Sequence, residues 1–331
     1  THLQSTFKSL SHLPILFIMS VSAGTSSSDM KKIDVASAPV TIFKKLHPVE
    51  YLERHLKERI REDGRTLDQL RSVSVATGTL SQPFGSALVR LGEGTLVTAS
   101  VTARIAHPTL ERPNEGFLIP SVDLSSLCSP LYNAGPPEEE GQVLTHDLQM
   151  FLNNSGILPR SALCIEKGLA VWAIYVDVVC VSAEGSVLDA AALATVAALH
   201  DCQLPRIDRF VNSSQAIFDP DTKERLPLMN LPIFMTLGMY ESTYVLADLT
   251  AFEESLCTGS IQVGLVDVNN EVNDPGNAKY DVFWLKVLGP CTTKHPQPLE
   301  NEALIEWCIE KAQKRAQKLR KLIKDALQKR A

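Results

Sequence analysis

The sequence predicts an α+β protein made of two related halves, each a sheet backed by helices, and three observations carry that prediction. Trp172, Ile174, Val176, Val178, Val179 and Val181 form a run dense in β-branched and aromatic residues, a strand buried along most of its length. A polar break at 182–186 leads into Ala, Leu and Val from Asp189 to His200, small side chains that let a helix lie close against a sheet until Pro205 stops it. Beyond Pro205 strand-like alternation starts again and a long amphipathic helix follows. A strand feeding a tight turn and a buried helix gathers backbone amides and side chains in one cleft, so residues 182–189 weigh heavily on function.

Taken in order, residues 1–45 read as a disordered extension. LPILFIM at 13–19 is too short to span a bilayer and lacks the flanks of a signal peptide, and the Ser/Thr-rich stretch after Met19 solvates readily. Met19 reads as a translation start, with residues 1–18 a leader or an artefact; mass spectrometry of the native N-terminus decides it. The first half runs over 46–205. VEYLERHLKERIRED places Leu52, Leu56 and Ile60 on one face of a helix ended by Gly64. Val73 and Val75 mark a strand, and GSALVRLG with TLVTASVTA a hairpin turning at Glu93-Gly94. Gly92-Glu93-Gly94 is not a dinucleotide loop, because a strand follows and the third glycine is absent.

RIAHPTLERPNEG at 104–116 is a polar loop, FLIPSVDL an apolar run, and CSPLYNAGPPEEEG another loop. QVLTHDLQMFLNN brings Val143, Leu144, Leu148, Phe151 and Leu152 to a core-facing helix that ends in Asn-Asn-Ser-Gly. No Lys or Arg occurs between Arg112 and Arg160. The second half, 206–298, opens on a connector and hairpin, continues with the strands PIFMTLGMY, TYVLADL and SIQVGLVDV, and reaches a turn-rich loop at NNEVNDPGNAKY. Residues 299–331 form an amphipathic helix whose Lys and Arg make a basic, solvated outer face over Leu304, Cys308, Leu319, Leu322, Ile323 and Leu327.

Composition narrows the function. The chain has 331 residues, 44% hydrophobic, enough for one large core or two modest ones. A formal charge of −6 gives no global attraction to nucleic acid or an acidic membrane, so any RNA contact must be local. Seven cysteines without a C-x-x-C pair point to buried thiols in a reducing compartment. With neither a zinc pattern nor H-E-x-x-H, the sequence predicts no metal and no cofactor.

PVEYLERHLKE, DGRTLDQLRSV, GSALVRLGEGTLVTASV, GFLIPSVDLSSLCSP, GPPEEEGQVL, LCIEKGLAVWAIYVDVVCV and GSVLDAA, in this order, resemble the RNase PH family and within it the ring subunits of the eukaryotic RNA exosome. The resemblance covers roughly residues 45–325 and implies an RNase PH-like fold. Active members attack an RNA 3′ phosphodiester with inorganic phosphate, which demands arginines and amides for charge and carboxylates for proton or metal work. Their turn after the central strand reads like Q-A-D-G-G-T-R-T, and a later segment like D-L-x-x-x-E-D-S-x-x-x-T-D carries the acids.

Here the turn reads Ser182-Ala183-Glu184-Gly185-Ser186-Val187-Leu188-Asp189. Glu184 keeps an acidic position, Leu188 replaces the arginine, and Asp189 adds a negative charge that repels phosphate. The arginines of the preceding helix fall on or near Gln142, His146 and Gln149. Asp248-Leu249 and Glu253-Glu254-Ser255 follow the later segment, while Ser260 replaces its last acid. Each lost charge-assisted contact costs about 1–3 kcal/mol of binding. The resemblance thus implies no catalytic residues: a non-catalytic subunit that supports 3′-to-5′ RNA processing and degradation.

Its expected partners are other RNase PH-like exosome ring subunits, cap subunits, single-stranded RNA in the channel and an associated ribonuclease, with no membrane. Its expected location is nucleus, nucleolus and cytoplasm. Arg104, His107 and Arg112, in the loop that faces the channel neck in the family, are the candidate RNA-backbone contacts; the bland reading pairs Arg112 with Glu111 or Glu115 and leaves His107 to shape a turn. The competing function classes are a sister ring subunit, an exoribonuclease using Glu184 with Asp189 or Asp248 with Glu254, and a free-standing RNA-binding module, which the acidic balance disfavours. Against the enzyme stands a simpler role for Asp189, the N-cap of the following helix.

Overall fold

The computed structural model describes residues 40–129, 132, 135, 138–212, 215–241, 243–267, 280–289 and 301–328. The chain separates into two compact units, 1–48 and 49–331. In the first, α1 (Val40–Leu46) is closed by the His47 N–H on the Phe43 carbonyl at 2.8 Å. Regular structure therefore begins before Pro48, where the sequence pattern first becomes periodic.

α2 (Pro48–Lys57) buries Leu52 and Leu56 beside Tyr240, Leu246 and Leu249. Ile60, expected on the same stripe, lies beyond the helix and is 51% exposed. Arg59 adopts φ 56° and turns the chain, which carries the Arg61 side chain, not Ile60, into the interior.

The first sheet comprises β1 (Val73–Thr77), β2 (Gly85–Leu91), β3 (Thr95–Ala106), β4 (Phe117–Leu124), β5 (Cys164–Glu166) and β6 (Ala170–Ser182). Its order is β1-β2-β3-β6-β4, with β5 on β6. β4 and β6 are parallel because α3 (Glu139–Ser155) carries the chain across between them. Gly156, in the left-handed region, ends α3 as the Asn-Asn-Ser-Gly cluster predicts. Leu148, Phe151 and Leu152 are buried, but Val143, expected in the core, is half exposed at the rim of a cleft described below.

After β6 comes α4 (Val187–Asp201), followed by the hairpin β7 (Gln203–Asn212) and β8 (Gln215–Arg225). α4 ends before Pro205, which already belongs to β7; the Cys202 N–H bonds back to Leu199 O at 3.2 Å and closes the last turn. β9 (Ile233–Tyr240), β10 (Tyr244–Ala247), β11 (Gly259–Asp267) and β12 (Tyr280–Leu288) form a second, antiparallel sheet ordered β10-β9-β11-β12. β12 and the short α5 (Ala251–Leu256) have no counterpart among the sequence expectations. The loop expected at NNEVNDPGNAKY falls, up to Tyr280, outside the described residues.

α3, α4 and the long α6 (Asn301–Gln328) each touch both sheets. They form a shared middle layer, so the helices do not belong to one half or the other. That position explains α4, which is apolar all round and buried on every side because a sheet lies on each. Its alanines allow close approach: a Cβ at Gly85 of β2 would lie 2.5 Å from the Ala198 carbonyl. α6 buries Leu304, Cys308, Ala312, Ala316, Leu319 and Ile323 along one stripe. Leu322, expected on that stripe, is 37% exposed.

Candidate functional site

The turn between β6 and α4 is held by its neighbours. Thr95 Oγ1 donates to the Gly185 carbonyl at 2.8 Å and accepts from the Glu184 N–H at 3.2 Å. Gly185 has φ 85°, and a Cβ there would meet the Leu249 carbonyl at 2.5 Å; Ser186 follows at φ 50° and donates its hydroxyl to the same carbonyl at 3.2 Å. The turn and the 248–254 segment, distant in sequence, thus come together as the resemblance implies. Their chemistry differs from expectation.

Asp189 is not the N-cap of α4. Ser186 occupies that position, while Asp189, inside the first turn and fully buried, accepts from Arg315 Nη1 of α6 at 2.9 Å and from Thr236 Oγ1 and N at 2.7 and 3.1 Å. Its charge is therefore balanced within the fold and is not the free repulsive charge the sequence suggests. Arg315 likewise departs from the solvated basic face expected of α6, being 2% exposed. Arg320, on the same helix, pairs with buried Asp267.

Asp248 is equally committed. Arg71 Nη2 and Nε donate to its Oδ1 at 2.7 and 3.0 Å, and the Arg71 N–H donates to Oδ2 at 2.7 Å. The same guanidinium reaches the carbonyls of Glu184, Gly185 and Leu249 at 2.9, 3.2 and 3.1 Å. Burial alone would raise the Asp248 carboxyl, but hydrogen bonds from Arg71 and the charges of Arg315 and Arg71 together hold it below the usual carboxylate range. Glu253, which also completes the capping box of α5, is paired with the buried Arg61, whose Nη1 and Nη2 cap the Ala247 and Asp248 carbonyls at 2.6 and 2.9 Å.

Between the turn, α3, α5 and the second sheet lies a cleft of about 670 Å³. Glu140, Glu184 and Glu254 line it, with Tyr132, Val143 and Leu188. Lys286 is the cation among the described lining residues, and both its hydrogen bonds go to Asp147, at 2.7 and 2.9 Å. Leu188, at the position where the resemblance implies an arginine, is buried. Gln142, His146 and Gln149 are exposed along a different face of α3 from Glu140, Val143, Leu144 and Asp147, which line the cleft.

The N-terminus of α4, where backbone amides suit an anion, lies beside the protein's own carboxylate: Ser186 and Glu254 line the same cleft, and the Ser186 backbone favours the charged form of Glu254. Desolvation, with the Asp189 and Glu140 charges, nevertheless pushes Glu254 up from the usual carboxylate range. Ser260 also lines the cleft.

The expected RNA contacts lie apart from this cleft. Arg104 belongs to β3, not to the loop after it, pairs across to Ala173 and carries its guanidinium 5.8 Å from the Tyr175 ring centroid. His107 Nδ1 lies 3.1 Å from the Leu169 carbonyl, and Arg112 pairs with Glu115 at 3.1 Å. All three side chains are exposed, and neighbouring Leu110 is wholly so. The important residues that the sequence did not single out are Arg61, Arg71 and Arg315, with Arg65, whose Nη1 lies 3.6 Å from Asp248 Oδ2, together with Thr236 and with Gln262, which lines the cleft. Arg65 and Arg71 lie inside the quoted DGRTLDQLRSV segment, which was the available signal.

Comparison with known proteins places this geometry. The profile of the 3′ exoribonuclease family, domain 1 (RNase PH), matches residues 69–205. The chain is 31% identical over 280 residues to the exosome complex component rrp43 of Schizosaccharomyces pombe, covering 82% of this chain and 93% of that one. It is 29% identical over 284 residues to the exosome complex component RRP45A of Arabidopsis thaliana, covering 84% and 85% of the two chains. Among solved structures it is similar to a chain of an Archaeoglobus fulgidus exosome with RNA bound to the active site, at 28% identity and TM-score 0.68, covering 82% of this chain and 96% of that one.

Proposed function

The chain belongs to the RNase PH, 3′ exoribonuclease family, and from that membership we propose that it is a non-catalytic ring subunit of an RNA exosome, supporting 3′-to-5′ RNA processing and degradation. One observation carries the non-catalytic part: of the carboxylates at the family's acidic positions Asp248 and Glu253 are spent on structure, as is the added Asp189, and Glu184 and Glu254 are left in a cleft whose described lining holds no arginine. Asp189 is bound to Arg315, Asp248 to Arg71 and Glu253 to Arg61. The cleft that remains is lined by Glu140, Glu184 and Glu254 with Lys286 already paired, so it opposes an anionic nucleophile beside an anionic backbone.

The ring role makes other RNase PH-like subunits, cap subunits and an associated ribonuclease the partners, and single-stranded RNA the cargo of a central channel. β12, the edge of the second sheet, leaves Val282, Leu285, Val287 and Leu288 exposed, apolar area that suits contact with neighbouring subunits. In this reading Arg104, His107 and Arg112 touch the RNA backbone at the neck, residues 46–205 and 206–298 are the two RNase PH-like halves, and the protein works in the nucleus, nucleolus and cytoplasm. Reconstitution of the complex with and without this chain tests the reading. Omission is expected to leave an open assembly of lower mass that no longer protects RNA. A closed ring with full RNA protection in its absence would contradict it.

A further inference from the structure

The cleft beside the β6–α4 turn has changed sign without closing, and that points to a ligand of its own. Glu140, Glu184 and Glu254 are exposed carboxylates on its lining, and Lys286 is held by Asp147. Gln262 supplies an independent observation. It lines the same cleft and is only 8% exposed, and its Oε1 is buried with no hydrogen-bond partner among the described residues. A buried acceptor left unsatisfied costs free energy that a bound donor would recover.

We infer that this cleft is a receptor for a cationic side chain, the guanidinium of arginine or the ammonium of lysine, carried on a protein partner. Three carboxylates provide charge complementarity, Gln262 Oε1 accepts an N–H, and Val143, Leu144 and Leu288 offer apolar surface for the alkyl stem. The volume, about 670 Å³, admits a short stretch of polypeptide and not only one side chain. Among the described residues no group of three His, Cys, Asp or Glu stands close enough to hold a metal ion, which favours an organic cation. An anion is disfavoured because Glu254 stands beside Ser186 at the start of α4, with Glu140 and Glu184 on the same lining. The proposal rests on the reading that this cleft has ceased to bind phosphate.

The test uses the full-length chain and a fluorescein-labelled glycine-serine hexapeptide containing two arginines, with a twin in which citrulline replaces arginine. Fluorescence anisotropy is expected to show binding of the arginine peptide that weakens with added salt and falls about tenfold or more with citrulline, which keeps the shape and part of the N–H donor set and loses the charge. The Glu184→Gln/Glu254→Gln variant, whose changes are isosteric and exposed, is expected to lose binding by a similar factor while its melting temperature holds. Gln262→Met is expected to weaken both peptides, because it removes the acceptor. Equal binding of the citrulline twin, or unchanged affinity of the double carboxylate variant, overturns the proposal. Tighter binding of free spermidine than of the arginine peptide would assign the cleft to a polyamine and overturn the protein-partner assignment. If inorganic phosphate displaces the peptide, this proposal and the non-catalytic reading fall together; if neither peptide nor phosphate binds, this proposal falls alone.

Discussion

Asp189 and Arg315 lie 126 positions apart in sequence and meet at 2.9 Å in the middle layer of the fold, one on α4 and the other on α6. Neither side chain is more than 2% exposed. The pair therefore fastens the terminal helix to the central one, and it uses a carboxylate from the first turn of α4, next to the cleft.

Removing one partner leaves the other charged and buried, which costs far more than the pair is worth. Asp189→Ala and Arg315→Ala are each expected to lower unfolding free energy by about 3–5 kcal/mol, whereas Asp189→Leu with Arg315→Met should recover much of that loss. Denaturant unfolding of the single and double variants checks it. Additive losses in the double variant would mean that the two residues act independently.

Asp248 gives the protein an acid-sensitive joint. Its folded pKa lies below the unfolded value, so its contribution to stability is complete above the unfolded pKa of about 4 and is lost as pH falls through the folded one. Melting temperature is expected to drop steeply below about pH 4 in the native chain and less steeply in Asp248→Asn, which has already lost the linked proton. Parallel acid limbs for the two proteins would place the sensitivity elsewhere.

Gly185 sits where the turn touches the 248–250 backbone. A methyl group would combine φ 85° with a 2.5 Å approach to the Leu249 carbonyl. Gly185→Ala is expected to cost about 1–3 kcal/mol, read by thermal or denaturant unfolding. A neutral effect would show that the turn can move away from that segment.

The strand at 170–182 and the helix at 187–201 were legible because burial on both faces leaves near-continuous apolar runs. The ion pairs were not. Arg315 stands among lysines and glutamines in α6, and only the fold shows that its stripe is the one facing Asp189. Ile60 continued the spacing of Leu52 and Leu56, but the Arg61–Glu253 pair turns the chain before it can join them. β12 escaped notice because its exposed residues, Asp281, Val282, Leu285, Val287 and Leu288, are mostly apolar and do not alternate strictly with the half-buried Tyr280, Phe283, Trp284 and Lys286, which erases the pattern of an edge strand. Arg104 was assigned to a loop because β3 runs to Ala106, past its last buried residue, Val101. At the site, the missing arginine at Leu188 was readable, whereas the pairing that neutralises Asp189, Asp248 and Glu253 depended on residues far away in sequence.

The segment from Arg104 to Arg112 predicts how RNA responds to charge reversal. Arg104→Glu with Arg112→Glu in a reconstituted complex is expected to weaken RNA threading, with an effect that shrinks as salt rises and depends little on base sequence. The Arg112–Glu115 pair is exposed, so its loss should cost stability of about 1 kcal/mol at most and leave assembly intact. An intact ring with unchanged RNA affinity, protection and degradation would remove Arg104, His107 and Arg112 from the RNA path.

The most direct measurement is RNA degradation by the purified full-length chain with inorganic phosphate, and separately with magnesium and water, followed by chromatography of the products. The pairing of Asp248 with Arg71 and of Glu253 with Arg61, and a cleft with no arginine among its described lining residues, predict no release of nucleoside diphosphates or monophosphates above a no-protein control. Phosphate-dependent release of nucleoside diphosphates by the pure chain, abolished by Glu184→Gln, would contradict the account.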